Sequence, residues 1–345
     1  MSHQKRMIGL AVIAVIIAFL LMGCFSRKKE EEKIPIKVLI LPKFELGEMT
    51  GAFPGEAQLY YDEYVKGGDE YKIENSIWDV TLYVKDGVAL CVAGEGKVSS
   101  AVNTYAILAD ERFDFSDAYI LSTGCTGCAK GYGVMGDVYV ITAAIDYDLG
   151  HHADPRELTD DSHPTWFHDD EFDSTSVVKL DQKLTGRVYD LVKDFKPETT
   201  ERTREIMKKS FPGEEWADRD PMVLKGTTVS ADDFWKGEYD HQNAVLMAEY
   251  YGCPDPYAST EMEDVAVGNV VKGFGMLDRY IIIRGSVNMD VFMLGVTPED
   301  LWGEQSDDSL ATEDSEESAD IFETAMDNTF NAGKIVIDAI LDGSL

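Results

Sequence analysis

At 345 residues, with 44% hydrophobic and 10% aromatic content, the chain has enough apolar material for a substantial core and reads as globular rather than disordered. Its 31 basic and 64 acidic residues give a formal net charge of -33, a field that repels phosphate backbones and anionic headgroups and counts against nucleic acid as a partner. The acidity reads as solubility, and a neutral ligand does not feel it.

The first signal along the chain is Lys5 and Arg6, an apolar run over 7–22, and then Leu21-Met22-Gly23-Cys24. A basic start, an apolar middle and a small residue before the cut is the plan of a secretory signal. A cysteine directly after it resembles a bacterial lipobox, which makes Cys24 the expected lipidation site. An uncleaved single anchor competes with this, because Met22 stands where a small residue is commoner. Residues 1–24 are thus expected to be a lipoprotein-type signal segment and 25–35 a charged tether, with the body (36–345) outside the cytoplasmic membrane, in the cell envelope. No later segment has the roughly 18 to 20 apolar residues that a span needs, so the chain by itself forms no pore.

From residue 36 onward strand-like and helix-like segments alternate, which predicts one α/β domain with a largely parallel or mixed sheet. Strands are expected at 36–41, at 80–84 and 88–93 around the Asp86-Gly87 turn, at 118–122, 138–144, 222–229 and 281–284. Helices are expected at 98–108, 177–195, 243–251, 262–272 and 319–341. An acidic, Ser-rich insertion at about 304–319 is expected to be mobile.

Between residues 146 and 221 lie His151, His152, His163 and His168 among many aspartates, but their spacing matches no compact ligand motif, so no metal site and no cofactor is expected. Cys91, Cys125, Cys128 and Cys253 allow three pairings, among which the sequence does not choose. Cys125 and Cys128 form a C-x-x-C with no second pair, for which core packing or a local disulfide is the expectation.

Six segments then occur in an order that carries a resemblance. They are Ala93-Gly94-Glu95-Gly96-Lys97-Val98, Ser122-Thr123-Gly124-Cys125-Thr126-Gly127, Gly136-Asp137-Val138, Val229-Ser230-Ala231-Asp232-Asp233-Phe234, Glu261-Met262-Glu263 and Arg284-Gly285-Ser286-Val287-Asn288. Together they resemble the nucleoside phosphorylase and nucleosidase superfamily, including the methylthioadenosine nucleosidases. Segments 42–48 and 53–57 resemble the purine nucleoside permease family specifically. The resemblance implies a nucleoside phosphorylase-like fold: a single three-layer domain with a central mixed sheet flanked by helices.

It also implies roles. Glu263 resembles the ribose-binding glutamate, with Met262 packing on the sugar, and a carboxylate there suits an oxocarbenium-like transition state. Phe234 falls where the family stacks the purine, with Trp235 and Tyr239 nearby to extend the platform. Gly124 lets the backbone approach a ligand, Thr123 and Thr126 offer hydroxyls, and the bland alternative for this stretch is a tight strand-to-helix turn. Arg284 and two glutamates, Glu263 with Glu45 or Glu48, are expected around the attacking water. Arginine forks are the usual solution for a phosphate dianion, and the loop after the first strand offers none, which favours water over phosphate. Where nucleosidases carry an aspartate that protonates the purine, this chain has Asn288, an amide that binds the base but donates no proton to it.

Two functions of different kind follow. One is an extracytoplasmic enzyme that cleaves the N-glycosidic bond of purine nucleosides, by hydrolysis in preference to phosphorolysis. The other is a non-catalytic binding component that passes nucleosides to a separate transporter. A homo-oligomer is expected by analogy alone.

Overall fold

The computed structural model describes residues 32–159, 164–168, 173–293, 297 and 316–345. The signal segment with Cys24, most of the tether, His163 and the acidic insertion up to residue 315 lie outside the described residues. Pro35–Leu345 form one compact unit.

Ten strands make the main sheet: β1 Val38–Leu41, β2 Asp69–Lys72, β3 Thr81–Lys85, β4 Val88–Leu90, β5 Tyr119–Cys128, β6 Val138–Asp146, β7 Val177–Lys179, β8 Val223–Ser230, β9 Tyr257–Glu261 and β10 Tyr280–Met289. The helices that matter for the site are α1 Lys97–Leu108, α2 Gln182–Val192, α3 Glu238–Tyr250, α4 Asp264–Gly273 and α5 Glu316–Asp342. The strand order is β7-β6-β8-β9-β5-β1-β4-β3-β2, with β10 off this path and paired to both β5 and β6. β1, β4 and β5 run parallel, as continuous apolar strands covered on both faces do. β3 and β4 form the antiparallel hairpin expected at the Asp86-Gly87 turn, where both turn residues have positive φ.

The double pairing of β10 closes part of the sheet on itself. β10 runs parallel to β5 from Tyr280↔Ile120 to Met289↔Cys128 and antiparallel to β6 at Ile283↔Val140 and Gly285↔Val138. Since β6 also pairs β8, β8 pairs β9 and β9 pairs β5, five strands form a ring with no free edge. Bulges at Gly226/Thr227 of β8 and Ser286/Asn288 of β10 supply the bends that such closure needs. Against this ring pack Leu184, Val188 and Val192 of α2 and Val336, Ile337 and Ile340 of α5, together with Val140, Ile281 and Ile283. A second core holds Trp166, Trp235, Met247 and Tyr257.

The structure departs from the expected elements at three places. The segment at 177–195 is not one helix: Val177–Lys179 are a strand on β6, and α2 starts only after Asp181, whose side chain accepts from the Leu184 amide at 2.7 Å. Two β-branched residues beside an open sheet edge outweigh helical periodicity. Residues 123–127 are not a turn either; they continue β5 to Cys128. Finally, β9 precedes α4 at a place where the polar Tyr257–Glu261 segment gave no strand signal.

The four cysteines among the described residues are free, Cys91 and Cys128 buried and Cys125 and Cys253 partly so, which fits the core-packing alternative rather than a local disulfide. His151 stacks on Phe167, and His152 hydrogen-bonds the Tyr147 carbonyl. Among the described residues no His, Cys, Asp or Glu group has metal-binding geometry, and no helix is long and apolar enough to cross a membrane.

Candidate active site

Arg284 sits in β10 beside Gly124 of β5 and Tyr139 of β6, and its side chain is 1% exposed. Three carboxylates surround it. Its Nε donates to Asp264 Oδ2 at 2.9 Å, and its Nη2 donates to Asp264 Oδ1 at 2.9 Å, Glu263 Oε2 at 3.0 Å and Glu261 Oε2 at 3.2 Å. The remaining nitrogen, Nη1, donates to the Cys125 carbonyl at 3.0 Å.

All three acids come from one junction. Glu261 ends β9, Glu263 occupies the N-cap position of α4, and Asp264 is the first residue of that helix. Glu261 Oε2 accepts from the Glu263 and Asp264 amides at 2.6 and 2.8 Å, which satisfies N–H groups that a helix start leaves orphaned. Its other oxygen takes hydroxyls of Ser230 and Thr228. Glu263 Oε1 accepts from the Gly96 amide at 3.1 Å, so the glycine loop before α1 reaches the same cluster.

The buried Lys43, at the end of the loop leaving β1, donates to the Leu41 carbonyl at 2.6 Å and to Ser122 Oγ at 2.7 Å, and Ser122 in turn donates to Asp264 at 2.6 Å. Burial and the nearby Arg284 lower the Lys43 ammonium. Burial, reinforced by Asp264, pushes Glu261 up to about 7 against the pull of Arg284. Burial raises Glu263 too, with Arg284 and Lys43 opposing. Asp264 goes the other way: burial works to raise it, but Arg284, Lys43 and the hydrogen bonds from Arg284 and Ser122 hold it below the usual range.

Sequence reasoning named Glu45 or Glu48 as the second glutamate, and the structure gives each a different place. Both oxygens of Glu45 are taken by backbone amides, those of Leu46 (2.9 Å), Gly55, Ala57 (3.0 Å) and Gln58 (2.7 Å). Glu48 is exposed. The buried carboxylate of this region is Glu56, which accepts from the Lys43 amide and the Cys125 amide, each at 2.7 Å. A Cβ on Gly124 would lie 2.3 Å from Glu56 Oε1, so glycine there is what admits the carboxylate. Glu56 and Arg284 thus meet the same Cys125 peptide, one at its N–H and the other at its C=O. The sequence signal for Glu56 was its place in the 53–57 segment that carries the family resemblance.

The other expected site residues divide between interior and opening. Thr123 is buried against Tyr60, and Thr126 Oγ1 donates to the Thr260 carbonyl at 2.6 Å. Met262 and Asn288 are half-buried. Asn288 follows the bulge in β10, and its Oδ1 would meet a Cβ on Gly127 at 2.8 Å. Phe234 is 53% exposed. Trp235 does not extend that platform; it is buried and stacks on Tyr147 with ring centroids 5.2 Å apart. Asp232 reaches back to the Lys97 amide at 2.7 Å, and Lys97 Nζ pairs with Asp146 at 2.6 Å and Asp148 at 2.8 Å, which ties the glycine loop to the base-side loop. Arg112 pairs with Asp110 in the turn after α1 and takes no part. Beside the cluster a cleft of about 420 Å³ opens between Lys43, Phe44, Trp78 and the Gly94-Glu95 loop.

A central mixed sheet with helices around it and this order of loops define a nucleoside phosphorylase-like fold. Three solved structures share it. A 5'-methylthioadenosine/S-adenosylhomocysteine nucleosidase from Neisseria meningitidis, in complex with methylthio-immucillin-A, covers 88% of this chain and 99% of its own at 17% identity and a TM-score of 0.51. A futalosine hydrolase mutant from Helicobacter pylori covers 88% and 99% at 14% identity and a TM-score of 0.52. A putative nucleosidase of the first kind from Borrelia burgdorferi, bound to adenine, covers 87% and 99% at 14% identity and a TM-score of 0.52. The profile of the purine nucleoside permease family matches residues 35–344, and the chain belongs to that family. A curated relative, a probable purine nucleoside permease from Schizosaccharomyces pombe, is 24% identical over 225 residues, which is 57% of this chain and 63% of that protein; the match spans less than two thirds of the relative's length.

Proposed function

We propose that this protein binds purine nucleosides and hydrolyses their N-glycosidic bond. The observation that carries this reading is the cluster itself: Arg284 enclosed by Glu261, Glu263 and Asp264, with Glu56 across the Cys125 peptide. Glu263 holds the sugar hydroxyls, with Met262 against the ring. As the bond to the base breaks, positive charge grows at the anomeric carbon, and a site with four carboxylates and two cations stabilises that charge where it develops. Glu56 and Glu263 flank the attacking water, and Glu56 takes its proton. Phe234 stacks on the purine and the Asn288 amide hydrogen-bonds it.

The same charge balance argues against phosphate as the attacking group. Arg284 is engaged by the carboxylates and the Cys125 carbonyl and Lys43 by Leu41 and Ser122, so a dianion entering here meets acids rather than a free guanidinium. The test is base release from inosine, guanosine and adenosine with and without phosphate. Release without phosphate is expected, and release only with phosphate would transfer the reading to phosphorolysis.

Asn288 favours a second reading, a binding component that passes its nucleoside to a separate transporter, because an amide supplies no proton to the leaving base. Tight binding with no base released would establish it. In either reading we place the protein outside the cytoplasmic membrane, held through Cys24, and mass analysis of the mature N-terminus checks for the lipid.

A further inference from the structure

Just after the 232–237 segment that carries Phe234 lies a histidine, His241, that the reading above leaves unused. Asp290 directly follows β10, two residues after Asn288. The Asp290 side chain is fully buried and every contact it makes is to a donor. Its Oδ1 accepts from the Lys130 amide at 2.9 Å, and its Oδ2 accepts from the Tyr257 hydroxyl at 2.9 Å and from His241 Nδ1 at 2.7 Å.

Three elements therefore fix one carboxylate, and the carboxylate fixes one imidazole. Because the carboxylate only accepts, Nδ1 carries the hydrogen in this contact and Nε2 faces away from it. Nε2 makes no hydrogen bond among the described residues, and the His241 side chain keeps 15% of its surface.

The backbone links this pair to the wall that carries Phe234. The Gly237 amide donates to the Asp290 carbonyl at 2.9 Å, and the His241 amide donates to the Gly237 carbonyl at 3.0 Å. His241 thus sits in the first turn of α3, directly after the 232–237 segment and beside the end of the strand that presents Asn288.

We propose that His241, oriented by Asp290, is the catalytic residue that protonates the departing purine. This rests on the nucleosidase reading and removes its main difficulty, since Asn288 has no proton to give. In the step, the bond between C1' and the purine nitrogen breaks and its electron pair stays on the base. His241 enters the step as the imidazolium, with one hydrogen on Nδ1 toward Asp290 and a second on Nε2, and the Nε2 proton moves to a ring nitrogen of the purine as the water oxygen bonds to C1'. The proton lost by that water passes to Glu56 and returns through solvent to His241. One nucleoside and one water give free ribose and free base. Asn288 then holds and orients the purine edge while His241 supplies the proton, which divides between two side chains the work that a single acid would do.

The experiment compares two leaving groups on the full-length protein and on His241→Gln. Inosine needs its base protonated, whereas p-nitrophenyl riboside releases a stable phenolate unaided. The expected result is a fall of about 10²- to 10⁴-fold in kcat for inosine and of less than about threefold for the nitrophenyl substrate. Retained cleavage of the nitrophenyl substrate also shows that the variant is folded and that its sugar site is intact. Asp290→Asn, which keeps the shape but removes the orienting charge, is expected to show the same split at smaller amplitude. An equal loss on both substrates would overturn the role of His241 and leave the nucleosidase reading standing. If the wild-type protein cleaves neither substrate, the nucleosidase reading falls and this proposal with it.

Discussion

Arg284 and its three carboxylates hydrogen-bond one another, their side chains are buried, and the acids come from a single strand-to-helix junction held by its own backbone amides. Around Phe234 the wall is a loop, the ring is 53% exposed, and the half-buried side chain of Asn288 lies beside Gly127. The first region is set before any ligand arrives; the second leaves room for bases of different shape. In the proposed hydrolysis, the contrast puts the groups assigned to bond breaking in the sheet and those assigned to the base on a surface segment.

The comparison breaks most severely at the arginine. Arg284→Met leaves three buried carboxylates without their cation, and the expected cost is about 3 to 5 kcal/mol of stability, read from denaturant unfolding. A loss below about 1 kcal/mol would mean that the cluster is not the preorganised unit described. Glu56→Gln keeps the volume and removes the base; base release is expected to fall by about 10²- to 10⁴-fold, and because its NH2 must face one of the two backbone N–H groups that Glu56 accepts from, stability is expected to fall by about 1 to 3 kcal/mol.

A milder probe uses pH. Glu261 has an ordinary value of 4.5 and is raised to about 7 in the folded protein. A raised acid binds its proton more tightly when folded, so its stabilisation is complete below 4.5 and is lost as pH rises through about 7. Unfolding by urea at several pH values is expected to show this falling component in the wild type and not in Glu261→Gln.

At the open end effects shrink. Phe234→Ala is expected to raise KM about 5- to 10-fold with kcat nearly unchanged, the loss of one stacking contact worth about 0.5 to 1.5 kcal/mol. An equal fall in kcat would show that the base loop takes part in the bond-breaking step. The smallest change is expected for Glu48→Ala: an exposed carboxylate whose loss leaves stability within about 0.5 kcal/mol and activity untouched.

How much of this was legible in the sequence differs between the same two regions. Arg284 stood out as a charged residue at the end of the apolar run Tyr280–Ile283, and Glu263 through the resemblance of Glu261-Met262-Glu263 to the family's ribose-binding motif. Their neighbours Glu261 and Asp264 were less visible, since acids near a helix start are commonplace. Glu56 escaped because the excursion over 45–55 separates it from the strand whose end it approaches, and Glu45 and Glu48 lie nearer in sequence. Periodicity misled at 177–179, where pairing with Ala143–Ile145 decides the conformation. The ring through β10 had no local signature at all, because it depends on pairings between residues more than 140 positions apart. The pair of His241 and Asp290 was invisible for the same reason, the two lying 49 positions apart.

The packing of α5 has a consequence for how the protein matures. Gly285, next to the arginine, lies so close to this helix that a Cβ would fall 1.8 Å from Thr329 Oγ1, and the Tyr60 hydroxyl reaches the Thr329 carbonyl at 3.3 Å. The helix that covers the arginine strand is thus encoded after everything it covers. During synthesis the ring can form only once β10 has emerged, and its outer face stays open until α5 follows. Competence for the reaction therefore arrives late and all at once, and a nascent chain carries the acids of the site well before it carries the means to shield them.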